Sequence, residues 1–563
     1  MKRMCIALLA SLTLAVALPS RAAEEAASPP WLKPDPAAMK RWQDLRFGMF
    51  IHWGPVSLTA REIGWSRGAQ TPIAEYDQLY KKFNPVKFNA EEWVAIAKTA
   101  GMKYMVLTTK HHDGFCLWDT KFTDYNIMNS PFKRDVVKEL AAACRKQGVA
   151  FGTYYSVTDW YHPGWPTTSP GGKVKRETSD MDAYEKYLQN QIRELITNYG
   201  PLLTIWNDVP REFGPRGLHT IEMVRTLQPD IVINNRTGAG GDYDTPEQKI
   251  GGFNLDRPWE SCMTVSAHNH WAWGGADDGV KPLAACLQML IRGAGGDGNV
   301  LLNVGPTPEG EIAAEQAGRL KDVGDWLAKY GASIYATRGG PYKPSKNLAC
   351  TRAGNTVYLH ILGWDDGALT LPPLPAKVLK SSLLTGGQAT IKATESGLEI
   401  IVPPEHRQAI DTIVALELDR PAMEITPIAV GGGTTSLTTG KKATASGSFH
   451  GERRYGAEKA VDDDADTRWA TDAATRQAWL AVDLGQSFTF DRASIRELDP
   501  RITSFELQAK EGEEWKTFHK GGAVGTAFEV RFAPVTAREV RLNILDARNG
   551  PSIFDFSLFP PKK

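Results

Sequence analysis

Residues 102–115 read MKYMVLTTKHHDGF, and this stretch decides the fold. Met102–Lys110 is apolar and β-branched enough for a strand buried on both faces, and it runs into a His-His-Asp-Gly turn. On its N-terminal side, Ala90–Ala100 carries apolar residues at helical spacing and stops at Gly101. On its C-terminal side, Asp135–Gln147 repeats the helical pattern up to Gly148, and Val149–Ser156 (VAFGTYYS) returns to an extended run. The unit is helix, strand, helix, strand, with each strand too apolar to face water.

The same alternation continues outward in both directions. Phe47–Ile51 is extended; Met181–Tyr199 is helical and closed by Gly200-Pro201; Leu202–Asp208 (LLTIWND) is extended again. Ile221–Leu227 reads as helix, Ile231–Asn235 as strand, Pro282–Arg292 as helix, Asn299–Val304 as strand and Ala313–Tyr330 as a last helix. Nearly 300 residues of alternating strand and helix predict a parallel (β/α) TIM-like barrel over residues 24–341. After residue 341 the helices stop. Thr356–Ile361, Leu369–Leu371, Leu398–Val402 and Thr412–Leu418 are short strand-like runs between Gly/Pro turns, which predict a small β-sandwich over 342–424. Residues 425–440, ending AVGGGTTSLTTG, are Gly/Thr-rich and read as a linker. Residues 441–563 again read as all-β.

Composition narrows the function classes. Lys+Arg and Asp+Glu both total 65, so the balanced charge supplies no attraction for nucleic acid or an anionic membrane. The 17 tryptophans suit core packing, and also stacking on the apolar faces of sugars. Residues 1–23 join Lys2 and Arg3 to an apolar run and then to Ala22 and Ala23, the pattern of a secretory signal. Export to the periplasm or the outside follows as an expectation, with no membrane insertion after cleavage. The six cysteines, one of them in that signal, have neither metal-like spacing nor an even mature count, so buried free thiols are expected.

In a barrel, the residues at the C-terminal ends of the strands converge on one pocket. Here those ends carry His52, then His111 and His112, then Tyr154 and Tyr155, then Trp206 and Asp208, then Arg236 with Glu247 close behind; Glu260 follows Trp259 on the next segment. Two carboxylates about 5 Å apart hydrolyse a glycoside with retention, one as nucleophile and one as acid/base. Histidine, tryptophan and arginine around them would bind ring hydroxyls and stack on the sugar. The tyrosines alternate along a strand, so one of the two faces the pocket. The same alternation turns His111 and His112 to opposite faces and argues against a metal pair. His268 and His270 in AHNHWAW read as a loop rim, and Asp113 before Gly114 as a turn former. A serine hydrolase lacks its G-x-S-x-G elbow, and GAGGDG (Gly293–Gly298) lacks the strand and the GK[ST] of a phosphate loop.

These strand ends resemble a known family. FGMFIHWGPVS (Phe47–Ser57), KKFNPVKFNAEEW (Lys81–Trp93), KYMVLTTKHHDGFCLWDT (Lys103–Thr120), YYSVTDWY (Tyr154–Tyr161), Trp206–Asp208 and GNVLLNVGPTPEG (Gly298–Gly310) closely resemble the α-L-fucosidases of glycoside hydrolase family 29, over roughly residues 38–340. The resemblance implies a retaining exo-α-L-fucosidase acting on fucosylated oligosaccharides or glycoconjugates without a catalytic cofactor. It makes Asp208 the nucleophile, in WNDVP where WFDG is common. It makes Glu247 in TPEQ the acid/base, with Glu260 in PWE as the alternative. It implies sugar contacts from His52, His111, His112, Tyr155, Trp206 and Arg236, and from Glu62 and Trp65 in REIGWSRG, which departs from the common E-W-Y form. A related α-L-galactosidase and an inactive sugar-binding relative are the competing readings. GAEKAVDDDADTRWAT (Gly456–Thr471) and AWLAVDLGQSFTFDRASI (Ala478–Ile495) resemble a discoidin-type (F5/8 type C) module related to family 32 carbohydrate-binding modules. That resemblance implies a structural calcium near Asp463, Asp466, Thr467 and Asp555.

Overall fold

The computed structural model describes residues 33–170, 174–210, 213–364, 367–394, 397–430, 436–462, 467–525 and 528–561. The expected signal at 1–23 lies outside them, as does part of the 425–440 linker.

The first unit is a parallel barrel. Its strands are β1 (Phe47–Ile51), β2 (Tyr104–Lys110), β3 (Ala150–Ser156), β4 (Thr204–Asp208), β5 (Val232–Ile233), β6 (Glu260–Thr264) and β7 (Asn299–Val304). They lie in the order β5-β4-β3-β2-β1-β7-β6, each pair parallel. The helices are α1 (Pro36–Leu45), the single turn α2 (Ile73–Tyr76), α3 (Ala90–Thr99), α4 (Val136–Gln147), α5 (Met181–Tyr199), α6 (Arg216–Leu227), α7 (Leu283–Gly295) and α8 (Ala314–Tyr330). Their ends follow local chemistry. Asp135 caps α4 by accepting from the Lys138 amide, and Gly148 ends it in the left-handed conformation at φ +73°.

Strand parity separates two cores. Phe50, Tyr104, Val106, Tyr154, Trp206, Val232, Cys262 and Leu301 meet inside the barrel, where Trp42 of α1 packs 4.3 Å from the Tyr243 ring. Their neighbours Met49, Ile51, Met105, Leu107, Tyr155, Ile205 and Ile233 pack in the second core, which also takes the apolar residues of α3, α4, α5 and α7. Burial on both faces explains why these strands read as unbroken apolar runs.

The gap between β5 and β6 is closed without a regular strand. Tyr243 pairs with Asn234, Asp244 with Trp259 and Glu247 with Cys262, all parallel. The Asp242 amide donates to Ile233 O (2.7 Å), and the Cys262 amide to Pro246 O (3.0 Å). Pro246 has no N–H for the ladder, so the segment stays a set of bridges. No helix stands on either side of this seam among the described residues, so the strand–helix alternation lapses between α6 and α7.

Two all-β units follow. The first joins β8 (Arg338–Gly339), β9 (Leu348–Ala353), β10 (Thr356–Ile361), β11 (Leu369–Leu371), β12 (Val378–Leu383), β13 (Thr390–Thr394), β14 (Gly397–Ile401) and β15 (Thr412–Leu418). They form a five-stranded sheet, β12-β15-β10-β9-β8, and a three-stranded one, β11-β14-β13, around one core. The second unit is an antiparallel sheet of β16 (Lys442–Ala445), β17 (Trp469–Ala470), β18 (Ala478–Glu497), β19 (Ile502–Glu511), β20 (Glu514–Gly521), β21 (Phe528–Ala547) and β22 (Ser552–Phe559), with its own core.

Candidate active site

A small pocket opens among the C-terminal strand ends, lined by Phe50, His52, Trp65, His111, Tyr154, Trp206, Asp208, Val209, Arg236, Glu247, Cys262 and Trp271. Asp208 is the last residue of β4, in register with Ser156, and this places its side chain inside the barrel. Tyr154 Oη donates to Asp208 Oδ2 (2.8 Å), while Arg236 Nη1 and the Val209 amide donate to Oδ1 (2.8 and 2.9 Å). Arg236 Nη1 also donates to Glu247 Oε2 (2.9 Å). Both carboxylates therefore end on one nitrogen, and their nearest oxygens are no farther apart than those two bonds laid end to end. That fits the spacing of about 5 Å used for retention rather than the roughly 6.5–9.5 Å that leaves room for an inverting water.

The electrostatics keep Asp208 ionised. Burial pushes its carboxyl up, but the Arg236 charge, His112 and the hydrogen bonds from Arg236 and Tyr154 outweigh it, so the group titrates below its ordinary value. By linkage, this pairing stabilises the fold above the ordinary carboxylate range, and the contribution fades as pH falls through the depressed value. Burial lowers His52 and His112 to about 4 and His111 well below the ordinary range, so all three are neutral near pH 7. His52 Nδ1 donates to Asn303 Oδ1 (2.6 Å), which leaves Nε2 as an acceptor for a hydroxyl. His111 Nδ1 is buried without a partner among the described residues and lies against Gly64. A Cβ on Gly64 would stand 2.7 Å from that nitrogen, and the glycine's φ of +65° independently disfavours any other residue.

Several expected contacts fall elsewhere. Tyr154, not Tyr155, reaches Asp208; Tyr155 has the opposite parity and donates to Gln191 (2.7 Å) in the outer core. Glu62 does not line the pocket. Its carboxylate accepts from the amides of Trp271 (2.8 Å) and Ala272 (3.3 Å), so it fixes the loop that presents Trp271. Glu260 is fully buried, pushed up to about 7 by burial, and accepts from Trp206 Nε1 and Tyr104 Oη beneath the pocket. His112 stands beside Asp208, with Nε2 3.7 Å from Oδ2, rather than on the pocket wall. His111 and His112 do not take opposite faces, because β2 ends at Lys110 and the turn brings their rings within 3.9 Å. His52, His111, Trp65, Trp206, Arg236, Asp208 and Glu247 are brought together in the lining of one pocket. Sequence reasoning does not single out Phe50, Cys262, Val209 and Trp271; of these, Phe50 on β1 shares the parity of His52, one residue past the strand, and is legible from that.

Of the calcium ligands expected in the C-terminal unit, Asp463 and Asp466 lie outside the described residues. Thr467 Oγ1 donates to Asp462 (2.8 Å), and Asp555 accepts from Ser557 Oγ (2.8 Å).

The family model described as Alpha-L-fucosidase matches residues 14–332. The chain belongs to the α-L-fucosidase family. This member carries a second match, to the F5/8 type C domain, over residues 442–555. It is similar to the human tissue alpha-L-fucosidase, 30% identical over 419 residues that cover 67% of this chain and 88% of that protein. Among solved structures, alpha-L-fucosidase isoenzyme 1 from Paenibacillus thiaminolyticus is 33% identical with a TM-score of 0.63, covering 68% of this chain and 99% of that one. A family 29 alpha-L-fucosidase from Bacteroides thetaiotaomicron, solved as a trapped covalent intermediate in complex with 2-fluoro-fucosyl fluoride, is 27% identical with a TM-score of 0.62. It covers 69% of this chain and 97% of its own. The enzyme is thus a glycoside hydrolase of the α-L-fucosidase family.

Among the residues that line the pocket of this fucosidase, one carries backbone strain. Val209 has φ +47°, its amide bonds Asp208, and its carbonyl accepts from Thr158 Oγ1 (2.6 Å). A β-branched residue there costs on the order of 1–2 kcal/mol, held in place by the two bonds and returned as an apolar wall. Val209→Gly should therefore raise KM severalfold without lowering the urea midpoint. Kinetics and unfolding of the purified variant check this, and a clear fall in stability would overturn the strain argument.

Proposed function

We propose that the pocket removes terminal α-L-fucosyl units from glycans, with Asp208 as nucleophile and Glu247 as acid/base. The observation that carries this is the single Arg236 nitrogen shared by the two carboxylates. Asp208 Oδ attacks the anomeric carbon while Glu247 gives its proton to the departing glycosidic oxygen. An ester between Asp208 and the sugar results. Glu247, now a carboxylate, takes a proton from water, which attacks the anomeric carbon and frees Asp208. His52 and His111 are placed to bind ring hydroxyls, and the exposed Trp65 forms the rim toward the aglycone.

Released sugar from a nitrophenyl α-L-fucoside, followed by proton NMR, should appear first as the α-anomer. The β-anomer first, or no release, would refute the assignment. Phe50, Val209, Cys262 and Trp271 supply apolar surface suited to a methyl group. An apolar pocket rejects an added hydroxyl only on the order of 10²-fold, so kcat/KM for the fucoside should exceed that for the α-L-galactoside by about that factor. Equal values would favour the galactoside reading.

The C-terminal unit is proposed to hold the enzyme on glycan through its carbohydrate-binding relationship, and residues 1–23 to direct export. No described helix is long and apolar enough to cross a membrane.

A further inference from the structure

We infer that Glu260 is a positioning residue for the nucleophile, acting through Trp206, which touches both side chains that hold Asp208. The inference rests on Asp208 being the nucleophile. Glu260 opens β6 inside the barrel and is fully buried. Its Oε1 accepts from Trp206 Nε1 (3.0 Å), and its Oε2 accepts from Tyr104 Oη. The Trp206 ring stacks on Tyr154 at 5.6 Å between centroids and 19° between planes. The same ring lies 4.9 Å from the Arg236 guanidinium. Tyr154 and Arg236 are the side chains that donate to the two oxygens of Asp208, each at 2.8 Å.

The route is short and continuous: carboxyl, indole, phenol and guanidinium, nucleophile. A buried indole N–H needs an acceptor, and a carboxyl is a costly one to bury for packing alone. Without Glu260 the buried indole N–H loses its acceptor and the ring loses the bond that fixes its tilt, and both donors to Asp208 rest against that ring. A displacement of about 1 Å at a reacting group can cost on the order of 10²-fold in rate. Glu260 itself does not touch substrate, because it lies outside the pocket lining. This separates it from a general acid, which has to reach the glycosidic oxygen.

The test uses the full chain, a nitrophenyl α-L-fucoside, and Glu260→Leu and Glu260→Gln, each also made in a Trp206→Phe background that lacks the indole N–H. Glu260→Leu should lower kcat about 10- to 100-fold with KM within about threefold. Glu260→Gln keeps an acceptor for the indole and should recover kcat to within about threefold of wild type. An acid/base residue would instead lose about 10²- to 10⁴-fold on the same change, since an amide gives no proton. In the Trp206→Phe background the further loss from Glu260→Leu should shrink to about threefold or less, the mark of two residues acting as one unit. Wild-type kcat in a folded Glu260→Leu variant, equal losses for Leu and Gln, or fully additive losses would each overturn the inference. If Glu260→Leu does not fold, the similarly long Glu260→Met replaces it: kcat reduced about tenfold with KM within about threefold supports the route, and unchanged kcat refutes it. Activity surviving in Asp208→Ala would count against the nucleophile assignment instead, whatever the Glu260 variants do.

Discussion

Replacing Asp208 by Ala should lower kcat/KM on aryl α-L-fucosides by on the order of 10⁴-fold, as expected when a covalent nucleophile is removed and the rest of the pocket stays intact. The fold should survive, because Asp208 is a strand-end residue whose neighbours Trp206 and Ile205 carry the packing. Arg236 keeps Glu247 as a partner in the variant. Azide should enter the vacated side of the pocket and attack the anomeric carbon once, giving the β-fucosyl azide. That product has the inverted configuration, and its detection by NMR or mass would identify Asp208 by position. Near wild-type turnover in the variant would end the assignment. In the wild type the acid limb of kcat/KM should fall below the ordinary carboxylate range, because Arg236 and His112 hold Asp208 ionised against its burial. Removing one donor with Tyr154→Phe should move that limb upward in pH.

The second large effect is on Glu247. Glu247→Ala should cost about 10²- to 10⁴-fold on substrates with poor leaving groups, and much less where the leaving group departs without a proton. With a good leaving group the covalent ester forms and accumulates, since no base activates water. Azide then attacks that ester and gives the α-fucosyl azide, opposite in configuration to the Asp208→Ala product. The pair of products assigns both carboxylates in one experiment. Rescue in Glu260→Ala instead of Glu247→Ala would transfer the acid role. The buried place of Glu260 under Trp206 argues against that result.

Most of the barrel is legible in the sequence. The ends of α5 at Met181 and Tyr199 and of β7 at Asn299 and Val304 fall where helical spacing, a Gly-Pro stop and an apolar run put them. Local chemistry sets such boundaries. What could not be read depended on partners distant in sequence. Choosing Tyr154 over Tyr155 needs the register that pairs Tyr154 with Trp206, and adjacent tyrosines have identical local signals. Glu62 stands in a motif suggestive of sugar binding, but its direction is set by two amides more than 200 residues away. The seam at 243–247 has too little periodicity to announce itself as part of a sheet. The strands β12 and β13 were missed for another reason: they are edge strands with mostly exposed or half-exposed side chains, Lys380 and Lys392 among them, so they lack an apolar face to detect.

The seam has a consequence for how such an enzyme diversifies. Asp208, the proposed nucleophile, is locked to a ladder that spans the sheet, and any slip there would move the whole pocket. Glu247, the proposed acid, belongs to a seam of three isolated bridges, flanked by loops with no helix among the described residues to anchor their length. Insertions or deletions between 248 and 257 can therefore re-aim the proton donor while the nucleophile stays in place. Loop-length variants there should change turnover of poor leaving groups and leave covalent labelling of Asp208 unaltered. On the proposed assignment, the place of one carboxylate is set by the sheet and that of the other by the length of a loop.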